Sequence, residues 1–266
     1  MNSPIGIFDS GIGGLTVANA IKDLLPMERI IYFGDTAHLP YGDKSPASIK
    51  AYSIRIADYL ISKNCKIIVI ACNSASSIAY ESVKSHVGNT CPVVDVIRPV
   101  VNKVGKLKGV SKVGVIGTRA TIRSGEYMKQ LQAVNGNLEV ASLTTPLLAP
   151  MIEEGFFNNK ISKTIINSYL SKKKLSDIEV LILACTHYPL IMDEIKEYYN
   201  NDVKIINSAD IVAKKVKDTL KRRLLQSKRK SGNHSFYISD YTLSFEKSTK
   251  LFFNGKIKLE ELNLWP

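Results

Sequence analysis

No apolar run in the 266-residue chain reaches the ~18 residues that a bilayer span requires. The opening residues, Met-Asn-Ser-Pro-Ile-Gly, lack a basic segment followed by a long apolar core. That excludes a secretory signal peptide and places the expected location in the cytoplasm, with no membrane partner. Cysteines are few: Cys65, Cys72, Cys91 and Cys185. No two have the C-x-x-C spacing of zinc or redox motifs, and in a reducing compartment free thiols are expected. Acidic residues are the scarcer charge, 24 against 36 Lys and Arg, for a net charge of +12. Such an excess favours nucleic acid or a small acidic metabolite as partner, or serves only solubility. The densest basic run, "KRRLLQSKRK" at 221–230, carries no nucleic-acid motif and no interleaved aromatics. It reads as a helix end and linker with a solvated surface, and nucleic acid is not the expected partner.

What remains is an ordinary globular composition, 45% hydrophobic and 23% charged. Short, uniformly apolar runs predict strands at 4–8, 29–34, 66–71, 92–96, 112–117, 138–143, 179–184 and 203–206. Helix-length segments alternate with them at 15–25, 47–62, 75–86, 121–133, 159–171 and 208–225. The tail, 235–266, reads as one more strand followed by short helical pieces. Apolar strands alternating with helices predict an α/β fold with mostly parallel sheets. Ligands in such folds bind beyond the carboxyl ends of the strands.

The chain also repeats itself. "IGIFDS" aligns with "VGVIGT", Ser10 and Thr118 being 108 residues apart. "IIVIACNSAS" aligns with "VLILACTHYP", Cys72 and Cys185 being 113 residues apart. Nearly equal offsets suggest two similar halves, each ending a strand in Ala-Cys.

A lone strand-end cysteine is usually a small buried hydrophobe; two in corresponding positions invite chemistry. Asn73 and Ser74 are good helix N-caps, and Pro189 suits a first helical turn. A thiol at such a helix start feels the positive end of the dipole, which favours the thiolate. Three chemistries could use the pair. Both thiols with His187 could bind zinc, although no further His or Cys cluster supports a ligand set. One Cys could be a nucleophile with His187 as base, although residues so close in sequence rarely form a dyad and the second Cys would stand idle. Or the two thiols could face each other as acid and base across a cleft. That third arrangement would remove a proton from one face of a carbon and return one to the other.

Other candidates stand beside plainer readings. "FDSGIGGLTV" at 8–17 lacks a full dinucleotide or phosphate-loop motif. It reads as a tight strand-to-helix turn with backbone N–H groups able to hold an anion. Asp9 there is as readily an N-cap as a functional group. The long loop "GDTAHLPYGDKS" at 34–45 could hold a carboxylate around Tyr41 and Gly42. Glu153 and Glu154 fall at a helix end, where most carboxylates are solvated. His38, His86 and His234 stand isolated and read as structural or surface residues.

Taken in order, "GIFDSGIGGLTV", "YFGDTAHLPYG", "ACNSAS", "GTRATI", P-x-I-E-x-G at 150–155 and "ACTHYPL" resemble the glutamate racemases, cofactor-independent amino-acid racemases of the aspartate/glutamate racemase superfamily. The resemblance runs from about residue 5 to about 240. It implies two α/β lobes related by a pseudo-twofold axis, 1–96 with 207–266 and 97–206, around a central cleft. It implies Cys72 acting on D-glutamate and Cys185 on L-glutamate, with no cofactor and no metal. Asp9 would support Cys72; His187 and Glu153 would support Cys185. Asp9, Ser10, Tyr41, Gly42, Asn73, Ser74, Thr186 and His187 would contact substrate, with Thr118 and Thr121 close by. A homodimer is expected, and D-glutamate would serve peptidoglycan synthesis. An aspartate racemase or a related isomerase is the alternative within the class. Two departures are visible: Ser74 stands where many relatives have Thr, and the loop reads Ala37-His38-Leu39-Pro40 where relatives usually carry Arg or another residue near His38.

Overall fold

The computed structural model describes residues 3–229, 232–255 and 257–265. Lys230, at the end of the basic run, lies outside them. The chain forms β1 (Ile5–Asp9), α1 (Leu15–Leu24), β2 (Ile30–Gly34), α2 (Pro46–Ser62), β3 (Ile67–Ile70), α3 (Asn73–Val87), β4 (Val93–Asp95) and α4 (Ile97–Val104). There follow β5 (Lys112–Gly117), α5 (Arg119–Arg123), α6 (Glu126–Val134), β6 (Glu139–Thr144), α7 (Leu148–Glu153), α8 (Lys160–Leu170) and β7 (Val180–Ala184). The last elements are α9 (Met192–Tyr198), β8 (Lys204–Ile206), α10 (Ser208–Arg222), β9 (Ser235–Ile238), α11 (Leu243–Phe252) and β10 (Leu259–Glu261).

Two sheets result. One has the strand order β10-β9-β2-β1-β3-β4 and the other β6-β5-β7-β8. Every pairing is parallel. The core of the first, β2-β1-β3-β4, has the same order as the whole of the second. The sequence repeat is therefore a topological repeat: β1 corresponds to β5 and β3 to β7. β1, β2, β3 and β7 are buried along their whole length, which explains their unbroken apolar runs. In both sheets the order reverses beside the first strand, and such switch points open a crevice at the strands' carboxyl ends. Asp9 and Cys72 sit at one crevice, Thr118 and Cys185 at the other.

Helix ends follow local chemistry. Ser45 caps α2 by accepting from Ser48 N, with Pro46 in the first turn. Asn159 and Ser162 form a reciprocal capping box at α8. The expected helix over 121–133 is two helices, because Gly125 takes a left-handed conformation (φ +68°) between α5 and α6. The tail adds a strand that periodicity missed: three-residue β10, which pairs with β9.

Where α10 leaves the body, the chain is fastened internally. Lys66 and Glu28, both with side chains only 2% exposed, form an ion pair at 2.5 Å. Lys66 Nζ also donates to Leu225 O, and Ser227 donates to Glu28 through N and Oγ.

Candidate active site

The carboxyl ends of both sheets meet at a cavity of about 230 Å³. This is below the ~300–1,000 Å³ of pockets for drug-sized ligands and suits a small molecule. Cys72 and Cys185 both line it, with Ser10, Tyr41, Gly42, Asn73, Ser74, Thr118, Glu153, Thr186 and His187. Two other sequence candidates, Asp9 and Thr121, stand behind this wall, each 1% exposed. Gly11 and the apolar Leu39, Pro40, Ala149 and Pro150 complete the lining. The sequence showed Leu39, Pro40 and Pro150 only as parts of motifs and Ala149 not at all, because their place in the wall depends on where two loops arrive.

Cys72 is itself the N-cap of α3: its Sγ accepts from Ala75 N at 3.4 Å. The expected caps, Asn73 and Ser74, are instead the first helical residues. The strand ends one residue earlier than the motif suggests, and the thiol takes the capping place. Cys72 also donates to Ser10 Oγ at 3.5 Å. Burial and the nearby Asp9 carboxylate push its thiol up to about 12 despite these hydrogen bonds. The helix start therefore does not by itself yield a thiolate here, since desolvation outweighs the dipole.

Asp9 does not cap α1, whose N-cap position is Gly14. Its Oδ2 accepts from Gly11 N at 3.0 Å, and its Oδ1 is buried without a hydrogen-bond partner among the described residues. One N–H of the supposed anion loop is thus already used within the turn. Burial raises the Asp9 pKa, although the neighbouring His187 and the backbone donors oppose that shift.

The surroundings of Cys185 differ. His187 Nδ1 lies 3.6 Å from Cys185 Sγ, although only one residue separates them. The chain turns tightly here into a 3-10 turn, Tyr188–Ile191, which folds the imidazole back onto the thiol. On its other side His187 Nε2 forms an ion pair with Glu153 Oε1 at 2.7 Å. Glu153 is therefore engaged rather than simply solvated at its helix end. Burial alone would lower the His187 pKa, but hydrogen bonding and charge from Cys185 and Glu153 raise it well above its ordinary value. The imidazole, held in its charged form by these partners, lies against the Cys185 sulfur. The two thiols are thus held in opposite environments: one beside a carboxylate, the other beside a cation.

Contacts across the cavity hold its walls together. Ser74 Oγ meets Thr118 Oγ1 at 2.9 Å and Thr121 Oγ1 at 3.3 Å. Thr16 Oγ1 donates to Thr186 O. A Cβ on Gly42 would stand 2.9 Å from Thr118 Cβ. Thr121 thus touches Ser74 and Thr118 without lining the cavity itself.

The loop carrying Tyr41 and Gly42 is fastened from below. Fully buried Asp35 accepts from Tyr41 Oη at 2.7 Å and Ser239 Oγ at 2.8 Å, and meets His38 Nδ1 at 3.0 Å. His38 stacks on Tyr52 and meets the edge of Trp265. It is not isolated, and its role is to anchor the loop. His86 pairs with Asp58 at the surface, and His234 accepts from Ile30 N. Among the described residues no group of three His, Cys, Asp or Glu side chains is placed to hold a metal ion.

The chain is similar to known proteins over most of its length. The family described as Asp/Glu/Hydantoin racemase matches residues 15–216. The glutamate racemase of Geobacter metallireducens is 40% identical over 95% of this chain and 93% of its own length. The crystal structure of glutamate racemase from Francisella tularensis in complex with D-glutamate is 40% identical, with a TM-score of 0.93 over 99% of this chain and 98% of that one. The Thermus thermophilus enzyme in complex with beta-chloro-D-alanine is 32% identical, with a TM-score of 0.88 over 99% and 98%. With the family model matching residues 15–216 and glutamate racemases alike in sequence and fold over nearly its full length, the chain belongs to the Asp/Glu/Hydantoin racemase family, among its glutamate racemases.

Proposed function

We propose that this protein interconverts L- and D-glutamate by moving a proton between two cysteines, with no cofactor. The observation that carries the reading is the pair of strand-end thiols, repeated in sequence and topology, lining one small cavity. The substrate is read from the relatives: glutamate racemases match nearly the whole chain at about 40% identity.

In the L-to-D direction Cys185, as thiolate, removes the α-proton. Charge develops on the α-carbon and α-carboxylate, and Cys72 delivers its Sγ proton to the opposite face. The products are D-glutamate, a Cys185 thiol and a Cys72 thiolate; the reverse reaction runs these roles backwards. An α-proton is a very weak acid, so donors must meet the carboxylate as charge builds. Asn73, Ser74, Thr118, Thr186 and the backbone around Ser10 and Gly42 supply such donors. Asp9 supports Cys72 by its charge, which holds the Sγ proton on until the carbon takes it. His187, oriented by Glu153, supports Cys185. The apolar lining limits water, which strengthens each of these interactions.

In this reading the two sheets are the cores of two lobes, 1–96 with 207–266 and 97–206. The enzyme works in the cytoplasm as a homodimer and supplies D-glutamate for peptidoglycan synthesis.

The test is incubation of L-glutamate in deuterated water without PLP or metal, followed by circular dichroism and mass spectrometry. Rotation should fall to zero as one deuterium enters the α-position, and Cys72→Ser or Cys185→Ser should stop racemisation. Unchanged rotation without deuterium uptake, or a Cys72→Ser enzyme at full rate, refutes the assignment. Enantiomers have equal free energy, so both directions must show one kcat/KM; any asymmetry between the thiols can appear only in kcat and KM separately.

A further inference from the structure

Asn73 lines the cavity, is 2% exposed and carries an amide with two different ends. Its Oδ1 accepts a hydrogen bond at 2.8 Å from Tyr127 Oη, on α6. Its Nδ2 is buried with no hydrogen-bond partner among the described residues. A buried, unpaired amide nitrogen is costly unless a ligand completes it. Tyr127 belongs to the part of the chain that builds the second sheet, Asn73 to the part that builds the first.

A phenol has one proton to give. Donated to Oδ1, it leaves only the NH₂ end of the amide for the cavity. The reversed amide would turn an oxygen toward an incoming carboxylate and repel it. The phenol is itself 2% exposed, and burial with the charge of nearby Asp95 holds its proton on.

We propose that Tyr127 is a positioning residue that fixes the Asn73 amide with its NH₂ toward a carboxylate of the substrate. It touches no substrate itself. The inference rests on the glutamate racemase reading and deepens it. It also makes the Asn73–Tyr127 bond a contact between the two halves of the chain that readies the cavity before substrate arrives.

The test compares Tyr127→Phe, Asn73→Ala and the double variant, using steady-state racemisation and thermal melts. Tyr127→Phe keeps the ring and frees the amide to rotate. KM should rise about tenfold, the loss expected for a misdirected hydrogen bond to a charged group, and kcat should fall with it, because the same donor meets the carboxylate as charge builds. In the Asn73→Ala background the same substitution should change KM by less than twofold. A Tyr127→Phe enzyme with wild-type KM, or effects that simply multiply, overturns the proposal. If Tyr127→Phe melts early, Asn73→Asp and Asn73→Ala decide with Tyr127 intact. Asp presents oxygen where NH₂ is needed and should bind worse than Ala, and equal binding overturns the proposal. A wild-type protein that fails to racemise glutamate would instead sink the functional reading, so the two failures are distinguishable.

Discussion

Gly13 offers a test that depends only on how closely the two halves of the site approach. A Cβ built there would lie 2.4 Å from His187 Cε1, 2.6 Å from His187 Nδ1 and 2.6 Å from Thr186 Oγ1. Ordinary carbon contacts need about 3.5 Å, so in Gly13→Ala the imidazole must retreat by about 1 Å. His187 has little room to do so. Its ring is held by Glu153 on one side and meets the edge of Phe252, with ring centres 5.2 Å apart. The movement would therefore pass to Cys185, or part the wall at Thr16 and Thr186. A misplacement of about 1 Å at a reacting centre costs about a hundredfold in rate. Gly13→Ala should thus lower kcat for L-glutamate about a hundredfold, read by circular dichroism, with the fold retained in a thermal melt. A folded variant within threefold of wild type would show that the His187 side is not held by this contact.

Two further outcomes follow from buried charge. The raised His187 pKa means that its contribution to stability is fully present below pH ~6.5 and is lost as pH rises through the folded value. The unfolding free energy of wild type relative to His187→Gln, from urea titrations, should therefore shrink toward alkaline pH; a constant difference refutes the charged-imidazole picture. At the far side of the molecule, Lys66→Met leaves Glu28 buried without its partner and should cost about 3–5 kcal/mol in chemical denaturation. A loss below about 1 kcal/mol would mean that the pair does not hold the chain after α10.

All eight strands expected before the tail exist within a residue or two, and β1, β2, β3 and β7 were the most legible because burial along their whole length makes them uniformly apolar. The break at Gly125 and the three-residue β10 were not, since one left-handed glycine and one short edge strand leave little periodic signal. The cysteines stood out through repetition. His187 looked too near Cys185 to engage it, and only the tight turn after Thr186 brings ring and sulfur together. Tyr127 lay in an expected helix with nothing to mark it, and its partner is 54 residues away. Asp35 and His38 were read as loop residues because their partners, Ser239 and Trp265, come from the distant tail.

The sequence alone determined the α/β class, the twofold repeat and the two thiols, because each is written in local pattern: apolar runs, matched offsets and strand-end motifs. The tertiary structure decided what no local pattern contains. It set Cys72 beside a carboxylate and Cys185 beside a cation, and it turned Asn73 by a phenol from the other half of the chain. Those differences arise from burial and from partners far apart in sequence, and they give two similar strand ends different chemistry.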